Sequence, residues 1–165
     1  MDYMIRDMRE SDWENVARIY TQGIESGNAT YEPTCPSWEQ FDAAHHTDCR
    51  FVVVKDESEG AIGWATIKPI SPRAVFQGVA EVSIYIDQDY KGQGLGFDLL
   101  MHLAQRSQES GYWTLQSHIF PGNIASLRIH EKCGFRLVGT REKLGQDKDG
   151  KWRDICLLER RSGIM

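Results

Sequence analysis

The sequence lacks the cysteine motifs, the long apolar runs and the basic clusters that mark three large classes of protein. Its four cysteines form no CxxC pair, and a chain of this size does not need disulfides to fold. No apolar run could cross a bilayer, and the polar N-terminus is not a signal peptide. The net charge is −5, without a cluster of Lys or Arg among aromatic residues. We therefore expect a cytoplasmic protein with no nucleic-acid or membrane partner.

One segment rich in metal-binding residue types, residues 45–49, reads His-His-Thr-Asp-Cys. Adjacent residues on a helix point in different directions, so the two histidines would not converge on one ion. The segment is predicted to be a solvated helix end, and no metal is expected. The 165 residues suit one domain, 1–165, with an ordinary core.

Hydrophobic periodicity predicts alternating strands and helices along the whole chain. Capping signals at Ser11 and Ser37 predict two helix starts, and Gly27 is predicted to end the first helix. Two further helices are predicted, from residue 95 to Gly111 and from Asn123 to Gly134. The predicted strands cover 4–9, 51–54, 61–68, 81–86, 113–119, 136–142 and 152–159. The strand–helix–strand unit in the middle should be parallel and right-handed.

The most informative segment is the glycine-rich run at residues 91–96, Lys-Gly-Gln-Gly-Leu-Gly. It joins an alternating strand to a helix that carries Leu95, Leu99 and Leu103. The first turn of a helix leaves amide donors unpaired and carries partial positive charge, which suits a phosphate or pyrophosphate. The run matches neither GxxxxGK[ST] nor GxGxxG, and a turn without a ligand is the alternative.

These residues together resemble the GNAT superfamily of acyl-CoA N-acyltransferases, and within it the phosphinothricin acetyltransferase branch. The loop fits the [QR]xxGx[GA] pattern, except that Lys91 stands where Gln or Arg is usual. The resemblance extends over nearly the whole chain, in blocks at 28–32, 73–76, 80–86, 123–131, 134–135 and 151–154. It implies an α+β fold whose mixed, mostly antiparallel sheet splays between two central parallel strands and is flanked by helices.

The resemblance implies acetyl-CoA as cofactor. The pyrophosphate would bind the loop residues Lys91, Gly92, Gln93, Gly94, Leu95, Gly96 and Phe97. The pantetheine arm would pair with the strand edge at Ile84, Tyr85 and Ile86, and Asn123 would bind it in addition to capping its helix. Ordinary sheet pairing and capping are the alternatives for these residues.

Transfer of an acetyl group from acetyl-CoA to an amine, which the resemblance implies, requires a neutral amine and a proton for the leaving thiolate. The resemblance places the general base of the family at Glu81, and we expect burial to raise the pKa of this carboxyl group. The alternative is that Glu81 is a carboxylate paired with a cation at the rim of the sheet. His130 is the candidate acid and Tyr85 the weaker one. Candidates for substrate binding are Thr30, Tyr31, Arg73, Phe76 and Glu81 itself, with Arg73 holding an anionic group of the acceptor.

The resemblance therefore predicts acetyl transfer, by direct attack in a ternary complex, to the primary amine of a small amino-acid-like acceptor such as phosphinothricin, methionine sulfoximine or methionine sulfone. Acetylation of protein N-termini or polyamines is the enzymatic alternative, and a non-catalytic CoA-binding sensor is the other. The family also suggests a homodimer in which a neighbouring loop completes the pocket.

Overall fold

A computed structural model describes residues 2–163. Its strands are β1 (Met4–Asp7), β2 (Arg50–Val54), β3 (Ala61–Pro69), β4 (Val79–Ile86), β5 (Thr114–Ile119), β6 (Arg136–Gln146) and β7 (Trp152–Arg161). Its α-helices are α1 (Trp13–Ser26), α2 (Trp38–Ala44), α3 (Leu95–Glu109) and α4 (Ile124–Lys132). Short 3-10 helices cover Glu10–Asp12, Ala74–Phe76 and Gln88–Tyr90. None of the helices described has the length and the apolar run that crossing a bilayer requires.

The predicted elements are confirmed, although several begin or end at other residues. The predicted cap at Ser11 is wrong, because the N-cap residue of α1 is Asp12, whose carboxylate accepts a hydrogen bond from the amide of Arg9 at 2.8 Å. The first strand ends at Asp7 because Arg9 already caps the 3-10 helix that precedes α1. Strand β6 continues to Gln146 because it stays paired with β7, where Gln146 faces Trp152. The predicted capping box at Ser37 is present, since the Ser37 hydroxyl accepts a hydrogen bond from the amide of Gln40 at 3.2 Å.

The seven strands form one sheet in the order β1-β2-β3-β4-β5-β7-β6. All neighbours are antiparallel except β4 and β5, which are parallel as predicted. The parallel pair is joined at three positions, the last of which matches Glu81 with Gln116. Beyond these positions, within the described residues, β4 continues to Ile86 and β5 to Ile119 without pairing with each other. The sheet therefore splays at its centre, and the predicted α+β architecture is confirmed.

The paired end of β4 and β5 is anchored by a glycine. The Gly78 carbonyl accepts hydrogen bonds from the amides of Trp113 at 2.8 Å and Thr114 at 3.2 Å. A Cβ atom on Gly78 would lie 2.0 Å from the ring of Trp113. Any larger residue would clash with Trp113, so glycine permits the close approach of the two chain segments at this paired end.

Each face of the sheet carries its own core. On one face α3 buries Leu99, Leu100 and Leu103 against strand residues that include Phe51 and Ile67. On the other face α1 and α2 pack against Trp64, which is fully buried, and bring Val16 and Phe41 to it. Tyr85, on β4, packs against the edge of this second core.

Residues 45–49 follow the end of α2, as expected, but the segment is solvated only at Thr47 and Asp48. His45 is half-buried, its Nδ1 lies 2.8 Å from the carbonyl oxygen of Phe41, and burial lowers its pKa to about 4. His46 packs on the ring of Tyr112 at 5.1 Å. The segment packs against the sheet, and among the described residues no cluster of side chains suits a metal ion.

Candidate active site

A cleft of about 670 Å³ opens where β4 and β5 diverge. Strands β4 and β5 supply its floor, and the α1–α2 loop, α2, α4 and the β6–β7 hairpin supply its walls. Residues that line it include Thr30, Tyr31, Lys68, Glu81, Ile84, Tyr85, Ser117, His118, Asn123, His130 and Arg141. The cleft runs through the sheet, because neighbouring residues of one strand, such as Ser117 and His118, point to opposite faces.

Glu81 stands at the last paired position before the splay, between two side chains that can carry positive charge. Its Oε1 bonds to Nδ1 of His118, and its Oε2 lies 3.3 Å from Nζ of Lys68. The sheet register produces this cluster: Lys68 is the cross-strand partner of Glu81, and His118 lies two residues beyond its parallel partner Gln116. All three side chains therefore project from the same face.

The expected rise in the pKa of Glu81 is not found. Burial by itself would raise the pKa, but the hydrogen bond with His118 and the charge of Lys68 outweigh it, and the pKa lies below its usual value. Glu81 is consequently a carboxylate at neutral pH. His118 was not among the predicted site residues. It lies on the same face of β5 as Gln116, but its place beside Glu81 follows only from the β4–β5 register, which the sequence does not give.

His130 lies at the bottom of the cleft, on the opposite face of the sheet. It is 1% exposed, and its Nε2 lies 2.8 Å from the hydroxyl of Ser117. Its Nδ1 lies 2.8 Å from the carbonyl oxygen of Ser126, which can only accept, so Nδ1 carries the hydrogen. Burial lowers the pKa of His130, which makes the ring neutral at neutral pH. A catalytic part for His130 stays a prediction, and the geometry would route it through Ser117.

Tyr85 forms the wall of the cleft beside α1. Its ring stacks on Trp64 at 4.8 Å and on Tyr20 at 5.2 Å, and a Cβ atom on Gly23 would lie 2.5 Å from it. Burial raises the pKa of Tyr85 well above its usual value, so the hydroxyl keeps its proton. A role for Tyr85 as the acid stays a prediction.

The glycine loop lies beyond the end of β4 and leads into α3. Gly92 and Gly94 have φ angles of +79° and +82°, which few other residues adopt, and both are exposed with open space where a Cβ would stand. The first hydrogen bond of the helix runs from the amide of Asp98 to the carbonyl of Gly94 at 3.2 Å, so the preceding amides are left for a ligand.

The other glycine and Asn123 place this helix end beside the cleft. Gly96 lets α3 approach α4, because a Cβ there would lie 2.9 Å from Ile129. Asn123 caps α4, as predicted, by accepting a hydrogen bond from the amide of Ser126 at 3.4 Å, and it also lines the cleft. If the loop bound the pyrophosphate of CoA, the pantetheine arm could extend along Ile84–Ile86 into the gap between β4 and β5. The loop and this strand edge therefore fit a CoA thioester.

The α1–α2 loop covers the mouth of the cleft and is fastened to β7. The Tyr31 hydroxyl donates to the carbonyl of Arg153 at 2.7 Å, and its ring packs edge-on against Phe120. The Arg153 guanidinium donates to the Gly27 carbonyl at 2.7 Å and to Asn28 at 3.3 Å. Thr30 and Tyr31, both predicted to bind substrate, are therefore part of a fixed cover over the cleft.

The other two predicted substrate residues lie elsewhere. Arg73 and Phe76 are exposed on the loop before β4, with the Arg73 guanidinium 5.4 Å from the centre of the Phe76 ring. Neither lines the cleft of the chain that carries it. The free cation in the cleft is instead Arg141, which makes no ion pair with any of residues 2–163.

A sheet that splays beside a carboxylate, with an exposed helix N-terminus at the end of the splayed strand, defines an acyltransferase that holds its acyl donor in the gap. The chain matches the model of the Acetyltransferase (GNAT) family over residues 5–135 and belongs to that family. The predicted class, an N-acetyltransferase that depends on acetyl-CoA, is thereby confirmed.

Relatives of known activity match most of the chain. An L-methionine sulfoximine/L-methionine sulfone acetyltransferase of Pseudomonas paraeruginosa is 29% identical over 165 residues, covering 96% of this chain and 94% of the relative. A phosphinothricin N-acetyltransferase of Alcaligenes faecalis is 31% identical, covering 94% and 81%. The crystal structure of a phosphinothricin acetyltransferase from Sinorhizobium meliloti in complex with acetyl-CoA has a TM-score of 0.87 and 29% identity, covering 99% of this chain and 90% of that one.

Proposed function

We propose that this protein acetylates the primary amine of a small amino-acid-like acceptor of the phosphinothricin or methionine sulfoximine type. The observation that carries the proposal is the charge pattern of the cleft, where the Glu81 carboxylate lines the same cavity as the guanidinium of Arg141, which has no ion pair with residues 2–163. An amino-acid zwitterion has an ammonium for the first and an acidic group for the second. The relatives named above act on acceptors of this kind.

The two substrates enter from opposite faces of the sheet. Glu81 and His118 lie on the face covered by the α1–α2 loop, whereas Ser117 and His130 lie on the face of α4. Acetyl-CoA would be held by the amides of residues 92–97 and supplies the acetyl group as a thioester. The edge amides of Ile84–Ile86 would hold the pantetheine arm. The two substrates can therefore be bound together, as direct transfer requires.

The chain's own residues prepare the acceptor. A free α-amine has a reference pKa near 8 and is mostly protonated at neutral pH. The ionised Glu81 draws this ammonium into the cleft, and the Glu81–His118 pair provides the acceptor for its proton. Tyr20 and Tyr85 wall the apolar part of the acceptor, and burial, which raises the pKa of Tyr20 to about 12, keeps its hydroxyl neutral.

A thiol-release assay with acetyl-CoA and a panel of amines tests this proposal. Phosphinothricin and methionine sulfoximine should have kcat/KM values at least about 100-fold above those of spermidine and of a peptide with an N-terminal alanine. Only these two compounds place an ammonium and an acidic group at the spacing of a small amino acid, to match Glu81 and Arg141. A preference for the peptide or for spermidine would contradict the acceptor class. Heat of acetyl-CoA binding without release for any amine would indicate a sensor.

The exposed loop that carries Arg73 has the chemistry of a subunit contact, and we propose that it contacts a second copy in a homodimer. Ile70, Val75 and Phe76 are 40%, 63% and 40% exposed on this one loop. Contact with a partner would remove these apolar side chains from water. Sedimentation should give twice the chain mass of 18.9 kDa, and Val75→Glu should give the monomer.

A matched variant separates this interface from the exposed edge strand β6. Val138, on β6, is 44% exposed, and Val138→Glu should leave the assembly unchanged. Dissociation by Val138→Glu but not by Val75→Glu would move the interface to β6.

We also propose a cytoplasmic location, which the free thiols of Cys35, Cys49, Cys133 and Cys156 support, since a reducing compartment keeps thiols unpaired.

A further inference from the structure

His118 presents a free ring nitrogen to the cleft. Its Nδ1 is bonded to Glu81, whereas none of residues 2–163 makes a hydrogen bond to its Nε2. Its side chain is 31% exposed, against 18% for Glu81. A molecule entering the cleft therefore reaches the imidazole more easily than the carboxylate.

The neighbours of His118 determine which nitrogen holds the hydrogen. Glu81 is ionised, and a carboxylate can only accept, so Nδ1 of His118 must be the donor. In a neutral imidazole the other nitrogen then has the lone pair. Both oxygens of Glu81 already have partners, Oε1 the ring of His118 and Oε2 the ammonium of Lys68 at 3.3 Å, and Glu81 is the less exposed of the pair. The more accessible lone pair for an entering ammonium is therefore the one on Nε2 of His118.

We propose that His118 is the general base that removes the proton from the acceptor's ammonium group, and that Glu81 is a positioning residue that fixes the ring and stabilises its protonated form. The proposal rests on the proposed function and refines it. An N–H bond of the ammonium breaks, its electron pair stays on the amine nitrogen, and a new N–H bond forms at Nε2. The imidazolium so formed lies between the carboxylate and the cleft, and later returns its proton to water.

The pH dependence of this step depends on the groups around the ring. The ionisable groups that line the same cleft are Tyr20, Tyr31, Glu32, Cys35, His45, Lys68, Glu81, Tyr85, His130 and Arg141. Glu81 is the one bonded to His118. The two other histidines have pKa values lowered by burial, His45 to about 4, so both of these rings are neutral at neutral pH.

The variant His118→Asn tests the proposal, because the Asn amide can still donate to Glu81 but has nothing in place of Nε2. In the full-length enzyme at pH 7, kcat should fall about 100- to 1,000-fold, with acetyl-CoA affinity and melting temperature unchanged. The rate of the variant should then rise in proportion to hydroxide up to the pKa of the amine, whereas that of the wild type levels off. Added imidazole should restore part of the rate at pH 7.

His102→Asn is the matched control, because His102 lies on α3, where it packs edge-on against Phe51 at 4.6 Å, far from the cleft lining. It should keep the wild-type kcat and pH profile. A His118→Asn variant with kcat within threefold of wild type and the same pH profile would overturn the proposal. The proposal would also be overturned if the rate of Glu81→Gln kept rising with pH while the rate of His118→Asn levelled off as in the wild type. Activity of the wild type on the amine panel is measured first, so failure of the proposed function is seen separately.

Discussion

Replacing Glu81 by glutamine is expected to lower kcat by about 100- to 10,000-fold, the range that general acid–base groups contribute. The substitution keeps the shape of the side chain and removes the negative charge that faces Lys68 and His118. The ammonium of the acceptor then loses its electrostatic partner, whether Glu81 takes the proton itself or holds His118 to do so. Steady-state kinetics with the best amine of the panel measures the effect.

The cofactor side of the cleft should not respond to this change. Calorimetry should give an acetyl-CoA dissociation constant within about twofold of wild type, since the helix N-terminus and the strand edge are intact. Glu159→Gln makes the same chemical change on β7, where Glu159 pairs with Arg136 at 2.6 Å, outside the cleft lining, and should leave kcat unchanged. Turnover of Glu81→Gln within threefold of wild type would remove Glu81 from the reaction.

The largest loss of stability is expected for Trp64→Ala. Trp64 is fully buried and is enclosed by Phe41, Tyr20 and Tyr85, whose ring centres lie 4.8 to 5.6 Å away. Deleting the indole should lower the free energy of unfolding by about 3–5 kcal/mol, as the transfer and cavity terms combine. Urea denaturation followed by circular dichroism measures the change.

Two further tryptophan variants show whether burial causes the loss. Trp152, on β7, is 61% exposed, and Trp152→Ala should change the free energy of unfolding by less than about 0.5 kcal/mol. Trp64→Phe should cost only about 1 kcal/mol, because it also removes the buried indole N–H of Trp64, which has no hydrogen-bond partner among the residues that the structure describes. Equal losses for Trp64→Ala and Trp152→Ala would contradict this account of the core.

The order and the type of the elements were predictable because each has a local signal. Alternation marks the strands, leucine spacing marks α3, and capping residues such as Ser37 and Asn123 mark helix starts. The glycine loop was identifiable for the same reason, since its positive φ angles at Gly92 and Gly94 demand glycine. The splay was expected only through the resemblance to a family, because nothing local in β4 or β5 indicates where two strands separate.

The chemistry of the site depends on register, which the sequence does not display. Glu81 could be identified, but the direction of its pKa shift could not, because Lys68 and His118 come from the neighbouring strands β3 and β5. His118 was missed for this reason. The exposure of Trp152 follows from its place at the end of the β6–β7 hairpin, whereas most strand tryptophans are buried.

The contact between Arg153 and the α1–α2 loop bears on which acceptors can enter. The guanidinium of Arg153 lies 4.1 Å from the centre of the Phe120 ring, is paired with Asp147 at 3.1 Å, and holds the backbone of Gly27. It thereby ties a loop on one half of the divided sheet to a strand on the other half. The α1–α2 loop is therefore held in place by a side chain that is not itself part of the cleft lining. Acceptor size could be altered at Arg153 without changing any residue that performs the reaction.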